Sequence, residues 1–230
     1  MKRHAVIIGY ECIFDFPSDE WQLPQPAVER MAGLMELEGI AFDRSRLSLL
    51  LRDALERRRS KAAETMTETK FKDVVASVME DLEVSDPSMN QRIVDAASMH
   101  CAEHSRAKRG AAELLLRLKK EMKVGLVCNV PLGLPHSIIA SQIREAGLAA
   151  SVDDMQFSTE MGMRRPHARQ FRYSLSNLNA EPSECAAITA IAEDRETLSK
   201  LSFGDIFIMD AGGNGVDWIA ETIEHLCSML

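Results

Sequence analysis

The feature that most constrains the fold is a short apolar run near the N-terminus, followed by a long stretch with helical periodicity. Residues 5–8 (AVII) are apolar and mostly β-branched, and the run is too short for an independent helix. It predicts a buried strand of a parallel sheet. Residues 17–105 predict an all-helical block, with helices over 27–38, 43–59, 70–82 and from Pro87 to about residue 104.

From residue 106 the pattern alternates between buried strands and amphipathic helices. The predicted strands cover 123–128, 155–158, 185–191 and 205–210, and the predicted helices cover 108–122, 135–146, 166–177, 195–201 and 216–230. This alternation predicts the α/β class, with a doubly wound parallel sheet. We therefore expect a core formed by 1–16 and 106–230, with the helical block 17–105 inserted after the first strand.

Charge and cysteine usage narrow the classes of partner and compartment. The formal net charge of −8 disfavours nucleic acid and anionic membranes as partners, because phosphate groups repel such a chain. No apolar run is long enough for a signal peptide or a membrane span. The five cysteines are scattered, odd in number and without CxxC spacing, which favours reduced thiols in a cytoplasmic protein.

Several stretches resemble the motifs of the haloacid dehalogenase-like (HAD-like) superfamily, in the family's order and spacing. VIIGYECIFDF (6–16) is similar to the first motif, FDxxGTLFD, and residues 110–129 are similar to the helix and strand leading into the second. FSTEMGMRRPHARQFRYSLSNLNAEPSECAAI (157–188) resembles SxxxGxxKPxxxxFxxxLxxLxxxPxE. The resemblance implies a Rossmann-like core and a helical cap formed by 17–105.

The first motif departs from the family at the position that carries the reaction. The resemblance implies an aspartate nucleophile at the end of the first strand, where this chain has Gly9, which has no side chain to attack a substrate. Glu11 takes the place of the second acidic residue, and Cys12-Ile13 replaces the glycine–threonine pair.

The other motifs depart as well. Cys128 replaces the second motif's hydroxyl residue, beside a matching Asn129, and Arg165 replaces the third motif's lysine. In the fourth motif Ala190 stands at the first metal aspartate, and Asp194 or Glu193 takes the second only with a shift of register. An active member would use magnesium; with these ligands we expect neither a metal nor another cofactor.

A rival register of the first motif makes Asp15 the nucleophile. Ile13-Phe14-Asp15-Phe16 also resembles the form IFDFDGT, but this register moves the strand to 10–14 and leaves residues 5–8 unexplained. It does not restore the fourth motif.

Several polar side chains follow the predicted strands and are candidates for a remnant site. We expect Glu11, Asn129, Arg165 and Asp194 to be the ligand-binding residues. The alternatives are an anion site formed by Arg164, Arg165 and Arg169, and a salt bridge from Arg165 to Glu11 or Asp194. Cys12 and Cys128 are more simply buried small residues than a redox pair.

Three functional hypotheses follow from the resemblance and its departures, and the third is a structural subunit of a larger assembly. The first is a HAD-like homologue that has lost catalysis and binds a protein partner or a small ligand, since loss of one cooperating catalytic group already removes most of the rate. The second is an active phosphatase or dehalogenase-type hydrolase that uses Asp15 or Glu11. Self-association as a homodimer is left open by the sequence.

Overall fold

The computed structural model describes residues 3–17, 19–84 and 86–209. Its strands are β1 (Ala5–Gly9), β2 (Phe14–Asp15), β3 (Arg106–Ala107), β4 (Lys123–Cys128), β5 (Asp154–Phe157), β6 (Cys185–Thr189) and β7 (Asp205–Ile208). Its helices are α1 (Gln25–Leu37), α2 (Arg44–Thr65), α3 (Phe71–Asp81), α4 (Pro87–His104), α5 (Ala111–Glu121), α6 (His136–Glu145), α7 (Ser158–Met161), α8 (Arg169–Leu178) and α9 (Asp194–Lys200).

Five strands form one parallel sheet in the order β5-β4-β1-β6-β7, which confirms the predicted α/β class. The first strand lies at the centre, with Ile8 opposite Leu126 of β4 and Ile188 of β6. All five residues of β1 are buried, as a strand covered on both faces requires. Because the strands are parallel, the residues that follow β1, β4 and β6 meet at one edge of the sheet.

One face of this sheet packs on α8 and α9 through a continuous apolar cluster. Phe171 and Phe203 contribute an edge-to-face pair with ring centroids 6.1 Å apart. The cluster consists of Ala5, Ile7, Val127, Phe171, Leu175, Leu178, Cys185, Ala187, Leu198 and Phe203.

The chain divides into two compact units. One comprises the described residues within Met1–Asp15, Arg106–Asn129 and Ile143–Leu230, and the other comprises Phe16–Ser105 with Val130–Gln142. The second unit thus contains residues 130–142 in addition to the helical insertion, because the turn at 131–133 hydrogen-bonds to it: Leu132 N–H donates to Glu20 O at 2.8 Å.

Local signals in the sequence account for the helix starts in this second unit. The Asp43 carboxylate accepts hydrogen bonds from the amides of Ser45 (2.7 Å) and Arg46 (3.2 Å) at the start of α2. Asp86 does the same for α4, whose first residue is Pro87. None of the helices within the described residues is both long and apolar enough to cross a membrane.

Several predicted boundaries were wrong, and local features explain three of them. Helix α2 continues past residue 59 to Thr65, since the residues SKAAET include good helix formers. Strand β6 ends at Thr189, because the Thr189 hydroxyl accepts from the Ile191 amide and turns the chain. Helix α8 begins at Arg169, after a turn closed by His167 N–H to Arg164 O. The predicted helix 216–230 lies outside the described residues.

The rival register is wrong about the first strand. The strand is Ala5–Gly9, whereas residues 10–12 form a 3₁₀ turn. Phe14 and Asp15 belong to a separate antiparallel pair, in which they face Ala107 and Arg106. The apolar run at 5–8 forms the central strand because all of its side chains can be buried there.

Candidate functional site

Most of the candidate site residues predicted from the sequence lie at the carboxyl edge of the parallel sheet. Gly9 ends β1, Asn129 follows β4 and Ala190 follows β6, while Asp194 begins α9. Arg165 reaches the same edge from the loop between α7 and α8. All of these residues belong to the first unit.

The carboxylate of Glu11 fills the space beside Gly9 where a side chain at that position would begin. A Cβ added to Gly9 would lie 2.1 Å from Glu11 Oε1 and 2.7 Å from Glu11 Cδ. The 3₁₀ turn at 10–12 produces this arrangement, since it folds the longer glutamate side chain back over the end of β1. The volume that a side chain at position 9 would take is therefore occupied by another residue.

Arg165 forms a bidentate ion pair with the Glu11 carboxylate. Its Nη2 donates to Glu11 Oε2 at 2.5 Å, and its Nη1 donates to Glu11 Oε1 at 3.3 Å. The same Nη1 donates to Asp194 Oδ2 at 2.9 Å. The side chains of Arg165 and Asp194 have no exposed surface, while that of Glu11 is 31% exposed. The salt bridge expected from Arg165 is confirmed, with both candidate carboxylates as partners.

Thr189, which was not among the predicted site residues, links the two carboxylates. Its hydroxyl lies 3.1 Å from Glu11 Oε1 and 2.7 Å from Asp194 Oδ2, and accepts from Arg165 Nη1 at 3.2 Å. A hydroxyl has one hydrogen, so it donates to only one carboxylate at a time. The sequence did offer a signal for Thr189, since it is a polar residue at the end of the apolar run CAAIT (185–189).

Asn129 fixes the backbone of Arg165. Its Oδ1 accepts from Arg165 N at 2.7 Å, and its Nδ2 donates to Arg165 O at 3.1 Å. Gln170, a second residue that the sequence reasoning missed, donates to the same Oδ1 at 3.2 Å. Asn129 acts here as a positioning residue, and ligand binding by Glu11, Asn129, Arg165 and Asp194 stays a prediction.

The pKa values of the Glu11 and Asp194 carboxyl groups are shifted in opposite directions. Burial by itself raises the pKa of Glu11, but the Arg165 guanidinium and hydrogen bonds from Arg165 and the Ala190 amide outweigh it, so this pKa lies below its ordinary value. Burial raises the pKa of Asp194 above its ordinary value, because Arg165 and Thr189 offset it only in part. Burial also disfavours the charged guanidinium, yet the two carboxylates keep the pKa of Arg165 above its usual range.

The described residues at this edge do not fit magnesium, the ion that the resemblance to the HAD-like motifs implies. Magnesium requires about six oxygen ligands in octahedral geometry. Here a guanidinium already lies between Glu11 and Asp194, the acidic side chains that the cluster contains among the described residues, and a dication beside it would be repelled. The raised pKa of Asp194 further weakens that group as a ligand.

The remaining candidate residues lie apart from this cluster or have simple packing roles. The Asp15 side chain is 70% exposed and lies 3.6 Å from Lys108 Nζ. Arg169 is exposed and lies over the Tyr173 ring at 5.8 Å, so it does not join Arg165 in an anion site. Cys12 and Cys128 are buried and do not form a disulfide with each other, as expected.

Comparisons with known proteins agree with this architecture. No family model matches the sequence, and no curated protein matches it significantly. Among solved structures, a protein assigned as a β-phosphoglucomutase from Thermotoga maritima has a TM-score of 0.60 at 16% identity, covering 99% of this chain and 100% of that one. The L-2-haloacid dehalogenase from Xanthobacter autotrophicus has a TM-score of 0.55 at 16% identity, covering 97% and 84%.

A protein assigned as a HAD-hydrolase from Bacillus subtilis gives a similar result. Its TM-score is 0.54 at 14% identity, with coverage of 90% of this chain and 87% of that one. At these identities the likeness establishes the fold alone. The sheet order, the insertion after β1 and these neighbours together show that the chain has the fold of the haloacid dehalogenase-like superfamily.

Proposed function

We propose that this chain is a HAD-like homologue that does not use a carboxylate nucleophile and acts by binding. The observation that carries the proposal is the occupancy of the nucleophile position: Gly9 supplies no side chain, and the Glu11 carboxylate fills its place under the Arg165 guanidinium. A carboxylate that accepts several hydrogen bonds and has a lowered pKa is a weak nucleophile.

A second candidate function is hydrolysis with Glu11 as the nucleophile. It is favoured by the same geometry, since Glu11 Oε1 lies within 2.1 Å of the Cβ that an aspartate at position 9 would have. Against it, Oε1 accepts from Arg165 Nη1 and the Ala190 amide, and Oε2 accepts from Arg165 Nη2. Attack on phosphorus or carbon would have to break these contacts.

Turnover assays separate the two candidates. We expect no hydrolysis of p-nitrophenyl phosphate, small phosphomonoesters or 2-haloacids, with or without magnesium, above the rate of the Glu11→Gln variant. The matched control is Glu196→Gln, an exposed acid whose partner is Lys200 on the same helix. Activity that is present in the wild type and in Glu196→Gln but lost in Glu11→Gln would establish Glu11 as a catalytic residue. Loss in Asp15→Asn alone would instead support the rival nucleophile.

The helical unit contains a groove that suits the binding part of the proposal. It lies between residues 21–28 and α2 and has a volume of about 920 Å³, near the upper end of typical small-molecule sites. The lining is mixed, with charged groups from Arg52, Asp53 and Glu56 and neutral polar groups from Gln22, Gln25, Ser45 and Ser48. The apolar lining residues are Trp21, Leu23, Val28, Leu49, Leu51 and Leu55. We propose that a small ligand occupies this groove, with a protein segment as the alternative occupant.

Substitution of Leu49 tests this groove. Leu49 is 47% exposed, so Leu49→Arg should fold normally while placing a charge in the groove. We expect compounds that raise the melting temperature of the wild type to lose that effect in Leu49→Arg. Leu116→Arg is the matched control, since Leu116 is 56% exposed and lies on α5 in the other unit. Equal stabilisation of all three proteins would place the ligand elsewhere.

A further inference from the structure

The last turn of α4 brings together three side chains that bind transition metals. His100, Glu103 and His104 lie within the sequence HCAEH, and residues three and four positions apart share one side of a helix. One potential ligand atom from each lies within 4.8 Å of the other two. This helix belongs to the helical unit and is separate from the cluster around Arg165.

The two imidazole rings of this site stack on each other. Their centroids are 4.2 Å apart with an interplanar angle of 27°. His104 Nδ1 lies 2.9 Å from His100 O. With the proton on Nδ1 it donates to this carbonyl, which orients the ring and leaves the Nε2 lone pair for a metal, as is common for metal-binding histidines.

The types of side chain suit a transition metal. His100 is buried, whereas Glu103 and His104 are exposed. Two imidazoles and one carboxylate are a ligand set that zinc favours.

We propose that His100, Glu103 and His104 form a binding site for a first-row transition-metal dication such as Zn²⁺. Zinc places nitrogen and oxygen ligands at about 2.0–2.2 Å, so small side-chain rotations bring three atoms within 4.8 Å onto one ion. The Glu103 side chain is 45% exposed, which leaves the outer side of the site open to water as a fourth ligand. The site is independent of the proposed function above.

Arg30 gives the site a competing cation. Its Nη2 donates to Glu103 Oε2 at 2.6 Å, and its side chain is 41% exposed. A bound dication has to share the Glu103 carboxylate with this guanidinium and lies within its repulsive field. Removal of the Arg30 charge should therefore strengthen metal binding, which a purely structural role of the three residues would not predict.

The test is isothermal titration of the full-length protein with Zn²⁺, supported by circular dichroism of each variant. We expect one saturable site whose affinity falls by about tenfold or more in His104→Gln and in Glu103→Gln. Arg30→Gln should bind Zn²⁺ more tightly than the wild type. The matched control is His4→Gln, an exposed histidine in the other unit, which should leave the affinity unchanged. Mg²⁺ should not compete, because it prefers oxygen ligands.

Cobalt substitution provides a second readout. Co²⁺ at this site should give weak visible absorption bands of a tetrahedral nitrogen–oxygen set, without the intense near-ultraviolet bands of thiolate ligands, and His104→Gln should abolish them. The absence of saturable Zn²⁺ binding would overturn the proposal. Zn²⁺ binding that His104→Gln and Glu103→Gln leave unchanged would do the same, since it would have to arise from other residues.

Discussion

Replacing Arg165 with methionine is expected to lower the free energy of unfolding by about 3–5 kcal/mol, because it leaves two carboxyl groups buried or half-buried without a cation. The Arg165 side chain is fully buried and forms ion pairs with both Glu11 and Asp194. Methionine fills a similar volume, so the change tests charge rather than packing. Urea unfolding followed by circular dichroism at pH 7 measures the difference.

Two further variants identify the origin of that loss. Arg165→Lys keeps the charge but not the bidentate geometry, so it should lower the free energy of unfolding by less than Arg165→Met does. The triple variant Glu11→Gln/Arg165→Met/Asp194→Asn removes all the charges and should recover part of the stability. A loss below about 1 kcal/mol for Arg165→Met would contradict the assignment, since that is the size expected of an exposed ion pair.

The pH dependence gives an independent check of this ion pair. Asp194 has a raised pKa in the folded protein, so the stability it contributes is present below its ordinary pKa and is lost as the pH rises through the raised value. Glu11 has a lowered pKa, so its contribution is present above its ordinary pKa and is lost as the pH falls through the lowered value. In Arg165→Met the pKa of Glu11 is no longer lowered, and the deficit relative to wild type should shrink as the pH falls.

Substituting Gly9 with alanine should lower the free energy of unfolding by about 1–3 kcal/mol, in the range of overpacked sites. Its backbone angles, φ −67° and ψ 133°, suit alanine, so the loss does not come from backbone strain. The loss comes from the new Cβ, which would lie 2.1 Å from Glu11 Oε1 and 2.9 Å from Arg165 Nη1. Glu11 must move, and in moving it gives up its ion pair with Arg165.

A double-mutant cycle with Glu11→Ala isolates this contact. In the Glu11→Ala background the Gly9→Ala substitution should cost much less, and the difference is the coupling energy. Gly33→Ala is the matched control, because a Cβ at Gly33 meets nothing within 4 Å in α1 and alanine is the better helix former. Equal losses in the wild-type and Glu11→Ala backgrounds would show that Glu11 does not occupy the space beside Gly9.

The strands and the helix starts could be predicted from the sequence because their signals are local. Each central strand is a short apolar run, and each boundary residue such as Pro87 or Asp86 acts within its own turn. The resemblance to the HAD-like motifs predicted the same fold and located Gly9 at the end of the first strand. This much depends on neighbouring residues in the chain.

The arrangement of the site depends on contacts across the chain, and the sequence predicted less of it. The pairing of Arg165 with Glu11 was foreseen as one alternative, but its simultaneous contact with Asp194 depends on where α9 begins. The bridging hydroxyl of Thr189 and the support of Asn129 by Gln170 depend on side-chain directions that periodicity does not encode. The fold-back of Glu11 over Gly9 follows from a 3₁₀ turn of three residues that has no distinctive pattern.

The small antiparallel pair of β2 and β3 has a consequence for how the chain tolerates change in length. Phe14 pairs with Ala107 and Asp15 pairs with Arg106, so the residues that flank the helical insertion are held side by side. For the core unit, residues 16–105 therefore form a closed loop. The entropy of closing a loop grows only logarithmically with its length, by about 0.6 kcal/mol for each doubling. A change in the length of the helical insertion therefore adds little to the entropy cost of closing this loop.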